Sequence, residues 1–269
     1  MRILIHENFE RLNNWTAHYI AAKINSANPT SKNPFVLGLS AGSSPIGVYQ
    51  NLVELLKKGK ISFKNVVTFN MDEYVGIDEE HPQSYHYCMN YNLFSHIDIP
   101  NENINILNGN AKDLEKECKE YEEKIASFGG IHLFLGGIGR DGNLAFNEPG
   151  ATLTTRTRIK SLTHETLIAN SRFFGGEISK VPKTALTVGL GTVMDANEVL
   201  IIMNGYSKAH ALRKGIEEGV NHMWTISMLQ LHNNCVICCD DESTMELKVG
   251  TVKYFKDMES DALSNIPSV

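Results

Sequence analysis

Long apolar runs are missing from this chain. No stretch approaches the roughly 18–20 consecutive apolar residues that cross a bilayer, so no helical membrane span is expected. A basic surplus is missing as well. Lys and Arg number 25 against 31 Asp and Glu, a formal charge of −6. No basic block interleaves with aromatics, which argues against a nucleic-acid footprint. The start, MRILIHENFE, turns polar within six residues and does not read as a signal peptide, so a cytoplasmic protein is expected. Cysteine is scarce: Cys88, Cys118, Cys235, Cys238 and Cys239, an odd number. Cys235 to Cys238 is formally a C-x-x-C, but no second ligand pair stands at a suitable spacing. The segment reads as an apolar strand with small buried thiols. No His, Cys and carboxylate cluster has metal-ligand spacing, so neither a metal nor a cofactor is expected. Repeats, low-complexity tracts and linkers are also absent, and residues 1–269 read as a single domain.

What is present is an alternation of strand and helix. Short apolar runs predict strands at Met1–Ile5, Phe35–Leu39, Val66–Asn70, Ile131–Leu135, Ala185–Val188, Glu198–Met203 and Asn234–Cys239. Helical spacing predicts helices over Phe9–Ser26, Pro45–Leu56, Asp113–Phe128, Ser207–Glu218 and Ser243–Lys256. The alternation implies an α/β fold: a Rossmann-like three-layer sandwich, its mostly parallel central sheet covered by helices on both faces.

Three polar motifs follow the carboxyl ends of these strands. They are Ser40-Ala41-Gly42-Ser43-Ser44, Met71-Asp72-Glu73, and the loop GGIGRDGNLAFNEP over residues 136–149. In open α/β sheets ligands bind along that edge. The first motif joins strand to helix through small residues, so its amides can hold a phosphate. It reads equally well as an ordinary strand–helix turn. Asp72 could be a helix cap, and Asp141 and Glu148 loop carboxylates. The coincidence of three motifs at one edge favours a site. Trp224 reads as core, and His81 and Pro82 as shapers of the turn before Tyr85.

Five segments carry a closer resemblance: VTFNMDEY at 67–74, HPQSY at 81–85, AFNEP at 145–149, SRFF at 171–174 and VNHMWT at 220–225. Over essentially its whole length the chain resembles the glucosamine-6-phosphate deaminases. The related 6-phosphogluconolactonases share the glycine loop and an Asp-Gly pair, but not FNEP or NMDEY. The resemblance implies isomerisation and deamination of glucosamine 6-phosphate to fructose 6-phosphate and ammonia, a hydrolase of amino-sugar catabolism with no cofactor. It implies Asp72 as the proton-transfer base. Asp141 and Glu148 would orient a histidine at position 143 that protonates the ring oxygen. Ala41, Gly42, Ser43, Ser44, Tyr85, Gly137, Arg172 and Lys208 would bind substrate, with the phosphate on Arg172 and Lys208. An allosteric site for N-acetylglucosamine 6-phosphate is implied at Ala151, Arg158, Lys160, Ser161 and Tyr254, between subunits of a homo-oligomer, a trimer or hexamer.

The chain departs from that pattern where it matters. Asn143 replaces the histidine, Ser40-Ala41 stands where the family usually has Pro-Thr, and Ala151 replaces a serine. An amide has no accessible pKa, and losing general acid–base help costs about 10²–10⁴-fold. Three readings follow: a deaminase, slowed at position 143; an impaired or inactivated sugar-phosphate-binding paralogue; or an enzyme acting on another sugar phosphate.

Overall fold

The computed structural model describes residues 1–269. The chain runs β1 (Arg2–His6), α1 (Phe9–Ala27), β2 (Phe35–Leu39), α2 (Ile46–Lys57), β3 (Val66–Asn70), β4 (Asp72–Tyr74), α3 (Tyr85–Asn92), β5 (Ile104–Asn105), α4 (Leu114–Ser127) and β6 (Leu133–Gly137). It continues through β7 (Arg158–Ser161), α5 (His164–Ser171), β8 (Thr184–Thr187), α6 (Leu190–Met194), β9 (Val199–Met203), α7 (Ala209–Ile216), β10 (Cys235–Asp240), α8 (Val249–Met258) and α9 (Ser260–Ser264). No helix is long and apolar enough to cross a membrane.

Seven strands form one parallel sheet in the order β1-β10-β9-β6-β2-β3-β5. Its strands are continuous apolar runs because both faces are covered. One face buries Leu4, Leu37 and Leu200 under α1 and α2; the other buries Ile5, Phe69 and Ile201 under the α4 and α7 side. Close packing between strands uses Gly38, where any side chain would collide with the Phe134 ring. Cys235, Cys238 and Cys239 lie buried in β10 as small core residues, burial pushing the Cys235 and Cys238 thiols up to about 12. The expected three-layer architecture is the one observed.

Winding reverses between β2 and β6. From β2 the chain steps outward to β3 and β5, then returns to β6 and steps the other way through β9 and β10. That reversal opens a crevice at the carboxyl edge, and ligands bind at such switch points.

A second, small sheet stands over the crevice: β4-β8-β7, all antiparallel. The strand expected at Ala185–Val188 therefore belongs here and not to the central sheet. Pairing decides this: Ala185, Leu186 and Thr187 pair on one side with β4 and on the other with β7. Two further expectations shift. Pro45 is the N-cap of α2 and not its first residue, and the last long helix starts at Val249, the Glu242–Thr244 segment being a separate 3-10 turn.

Candidate active site

The three motifs meet in one cavity of about 590 Å³ at the switch point. Its floor is the ends of β2, β3 and β6, and its roof is α5 with the turn after it. The roof supplies Thr166, Ile168, Ala169, Asn170 and Arg172. Ala41, Gly42, Ser43, Ser44, Asp72, Tyr85, Gly137, Asp141, Asn143, Arg172 and Lys208 all line it, as expected.

Met71 is where the two sheets part. Its amide donates to Leu39 O at 2.9 Å, and its carbonyl accepts from Val188 N at 2.8 Å. Asp72 then pairs with Thr187 in β4, so it is strand and not a helix cap. The Asp72 carboxylate is 8 % exposed and accepts no hydrogen bond within the chain. Burial, with the neighbouring Glu73 charge, pushes its carboxyl up to about 8.

Glu73 points the other way; the sequence marked it only as part of the Met71-Asp72-Glu73 motif, with no role of its own. It accepts from Tyr74 N at 2.7 Å, from Tyr85 N and His86 N at 2.9 Å, and its Oε2 lies 2.8 Å from His86 Nδ1. A buried carboxylate at the start of α3 meets the helix's free amides there. It thereby fixes Tyr85, whose ring packs on Tyr74 with centroids 5.1 Å apart. His81 shapes the preceding turn as expected, its ring nitrogen accepting from Gln83 N at 3.0 Å.

The phosphate-type loop is the turn from β2 into α2. Gly42 has φ 103°, a conformation that favours glycine. Tyr49 O–H donates to Ser40 O at 2.5 Å and pins the loop's base. Ala41 offers only its backbone. The loop's wall abuts the loop after β6, with a Cβ built at Gly137 lying 3.7 Å from Ser44 Cβ.

In the glycine loop Asn143 N donates to Asp141 Oδ1 at 3.3 Å, and Asn143 Nδ2 donates to Ala145 O at 2.9 Å. Ala145 has φ 51°, so this amide helps hold a non-glycine residue in the left-handed region. Burial raises the Asp141 carboxyl above the ordinary range, against backbone donors that lower it. Beneath the loop sits the segment around Trp224. Ile226 N donates to Gly142 O at 2.9 Å, and Thr225 Oγ1 lies 3.2 Å from Gly142 O and 3.0 Å from Asn147 O. Trp224 packs under Gly142, supporting the loop without lining the cavity.

Glu148 departs from its expected place. It is 1 % exposed, does not line the cavity, and its hydrogen bonds go to Thr163 and Thr166, not to Asn143. Its Oε1 accepts from Thr163 N and Thr163 Oγ1 at 2.9 Å and from Thr166 Oγ1 at 2.5 Å. Lys160 Nζ lies 3.2 Å from Oε2, an ion pair whose alignment falls short of a hydrogen bond. Burial penalises this charge, but the donors from Thr166, Thr163 and Lys160 outweigh it and hold the carboxyl below its usual range. The carboxylate anchors the first turn of α5. Those threonines carried no recognisable motif; only their position before a polar helix could have marked them.

The implied effector residues are not gathered within one chain. Arg158, Lys160 and Ser161 lie on β7, Ala151 packs against the core, and Tyr254 is 58 % exposed on α8, which packs on β1.

A glycine-containing turn and a buried carboxylate share a switch-point cavity, the arrangement of an α/β protein that binds a small molecule at its sheet edge. Residues 7–238 match the family described as glucosamine-6-phosphate isomerases/6-phosphogluconolactonase, and the chain belongs to that family. A glucosamine-6-phosphate deaminase of Borreliella burgdorferi (strain ZS7) is 64 % identical over 265 residues, 98 % of this chain and 99 % of the relative. One from Phocaeicola vulgatus is 62 % identical over 259 residues, 96 % and 98 % of the two chains. The solved structure of a monomeric glucosamine-6-phosphate deaminase superposes with a TM-score of 0.83 at 39 % identity, covering 90 % of this chain and 98 % of the other. A 6-phosphogluconolactonase from Thermotoga maritima superposes at 0.69 with 19 % identity, covering 89 % and 98 %, a likeness of fold alone.

Proposed function

We propose that this chain converts glucosamine 6-phosphate to fructose 6-phosphate and ammonia. The observation that carries the reading is Asp72: a buried carboxylate with no partner of its own, facing a cavity whose far end is built for a phosphate. In the open-chain aminosugar Asp72 takes the C2 proton and returns it to C1. A proton also passes from the nitrogen to O1, so the aldehyde becomes a hydroxymethyl group and the amine an imine at C2. Water adds to that imine and ammonia leaves, so the overall step consumes one water. The substrate's own ammonium beside C2 favours the ionised Asp72 that this step needs, offsetting the burial that otherwise keeps it protonated.

Ring opening needs a proton at the ring oxygen. Asn143 cannot supply it. Asp141, the loop carboxyl that lines the cavity and is held above the ordinary range, takes the role in this reading. High identity to proteins named as deaminases supports turnover over a silent binding role. The effector reading rests on less: of its residues only Lys160 reaches the site's carboxylates, through Glu148, so an anion drawing on Lys160 would loosen the anchor of α5.

Ammonia release from glucosamine 6-phosphate tests the reaction. In deuterated water the protein should also exchange the C1 proton of fructose 6-phosphate, and Asp72→Asn should lower that exchange by about 10²–10⁴-fold. Undiminished exchange in the variant would remove Asp72 from the mechanism.

A further inference from the structure

Arg140 lies within the glycine-loop motif but was given no role there, and its position in the sheet is informative. It follows β6, and β6 lies between β9 and β2. The loop after β9 brings Lys208, and the loop after β2 brings Ser43 and Ser44. By strand order the Arg140 loop lies between the loop of the lysine and the phosphate-type turn, and Arg172 of the roof lines the same cavity. None of the three cations has an ion-pair partner in the chain. Arg172 only stacks on its neighbour Phe173, 4.6 Å from the ring centroid. Elsewhere in the molecule arginines do find carboxylates, as Arg156 does with Glu122 at 2.7 Å and Asp195 at 2.5 Å. Asp72, Asp141 and Glu165 line the same cavity, but none forms an ion pair with these three cations, which leaves an incoming anion as a partner that can bridge them.

We propose that Arg140 is a third phosphate-holding cation of this site, closing on the substrate's 6-phosphate from the glycine-loop side. The proposal rests on the sugar-phosphate reading above and extends it to a residue outside the expected set. Arg140 is exposed, so its guanidinium is free to swing onto a phosphate oxygen when one arrives, and a planar fork suits that contact. Burial brings the Lys208 ammonium down to about 8, and repulsion from Arg140 and then Arg172 adds to it, against attraction from Asp141. On the same side Asp240 accepts from Gly205 N at 3.0 Å, and Glu242 lies near Gly205. An incoming phosphate dianion reverses the balance by favouring the charged lysine.

The test is calorimetric binding of a linear, unreactive probe, glucitol 6-phosphate, to native protein and to Arg140→Ala. It needs no turnover, so it stands apart from the ammonia assay that tests the reaction itself. The expected result is about five- to tenfold weaker binding in Arg140→Ala, less than for a fully buried charge-assisted contact because the side chain is exposed. Arg140→Lys should recover part of the loss. With native protein, affinity should fall as pH rises through about 8, where Lys208 loses its proton. In Arg140→Ala that fall should move to higher pH, because one source of repulsion is gone. The shift of the break reports only the repulsion between Arg140 and Lys208, so the affinity decides: an arginine that does not touch the phosphate would leave it unchanged below the break. Unchanged affinity there overturns the proposal, and so does an equal loss for unphosphorylated glucitol.

Discussion

The floor and the roof of the cavity each hold a nearly inaccessible carboxylate, and the two behave in opposite ways. Asp72, on the floor, has no donor and burial pushes its carboxyl up to about 8. Glu148, at the foot of the roof, is the more buried, yet its carboxyl is held below the usual range by donors from Thr163, Thr166 and Lys160. Burial alone therefore does not decide what a carboxylate can do; the donors around it do. An unsatisfied carboxylate is available to take a proton from a ligand. One whose Oε1 takes three donors and whose Oε2 faces a lysine, as in Glu148, is held in place. The resemblance groups both as catalytic; their hydrogen-bond surroundings differ.

The largest effect that would break this contrast is in stability against pH. Asp72 has its folded value raised from 3.8 to about 8, so between those limits the folded chain keeps a proton that the unfolded chain releases. Stability should fall as pH rises across that window and level off above it. Asp72→Asn should remove the slope and stabilise the protein at pH 8 by on the order of 2–5 kcal/mol, allowing for contact with cavity water. Denaturant melts of both proteins at pH 5 and pH 8 measure it. Equal differences at the two pH values would mean that Asp72 is not burdened by burial.

For Glu148 the sign reverses. Its folded value is depressed, so its contribution is present above the ordinary value of 4.5 and is lost as pH falls through the lower folded value. Glu148→Gln keeps the shape but weakens the charge-assisted bonds, and should cost about 1–3 kcal/mol at neutral pH. The sharper readout is local: amide hydrogen exchange should speed up over His164–Ser171 more than over β2 or β6. Uniform protection across both regions would show that the anchor acts on the whole fold and not on the roof.

The same contrast explains what was legible in the sequence. The strands of the floor announce themselves because each is a short apolar run buried on both faces; FVLGL and VVTFN fall at their predicted bounds. The motifs at their ends could be read for the same reason, since a polar group directly after such a run has to emerge at the sheet's edge. The roof gives no such signal. RIKS alternates half-buried and exposed residues, and HETLIANS buries none of its side chains. These segments are held by pairing with β8, by the Glu148 donors and by Asn170 Nδ2, which donates to the Tyr74 hydroxyl at 2.9 Å. Such contacts join residues far apart in the chain and leave no local period. Arg140 escaped notice for a related reason: a single exposed arginine acquires meaning only from the strand order around it.

The smallest predicted effect concerns Asn143, and it refines the contrast within the floor. The side chain does not point idly into the cavity. Its amide donates to Ala145 O and lies over Gly139, where any side chain would collide with it, so it is part of the loop's own bonding. An imidazole at 143 can keep that bond if its Nδ1–H replaces the amide donor, and Nε2 is then left to face the cavity. Glu148 is not there to orient the ring, being committed to α5. Asp141, in this account, already donates to the ring oxygen. Asn143→His should therefore raise ammonia release from ring-closed glucosamine 6-phosphate by about tenfold, below the 10²–10⁴-fold typical of a placed acid. Exchange at C1 of fructose 6-phosphate should change by less than about twofold, because that step belongs to Asp72. Asp141→Asn supplies the control: alone it should lower ring-closed turnover, and in the Asn143→His background it should lower it less. If Asn143→His gives no gain while Asp141→Asn still abolishes release, Asp141 suffices as the acid. If neither substitution alters release, ring opening is spontaneous and this loop serves only to bind.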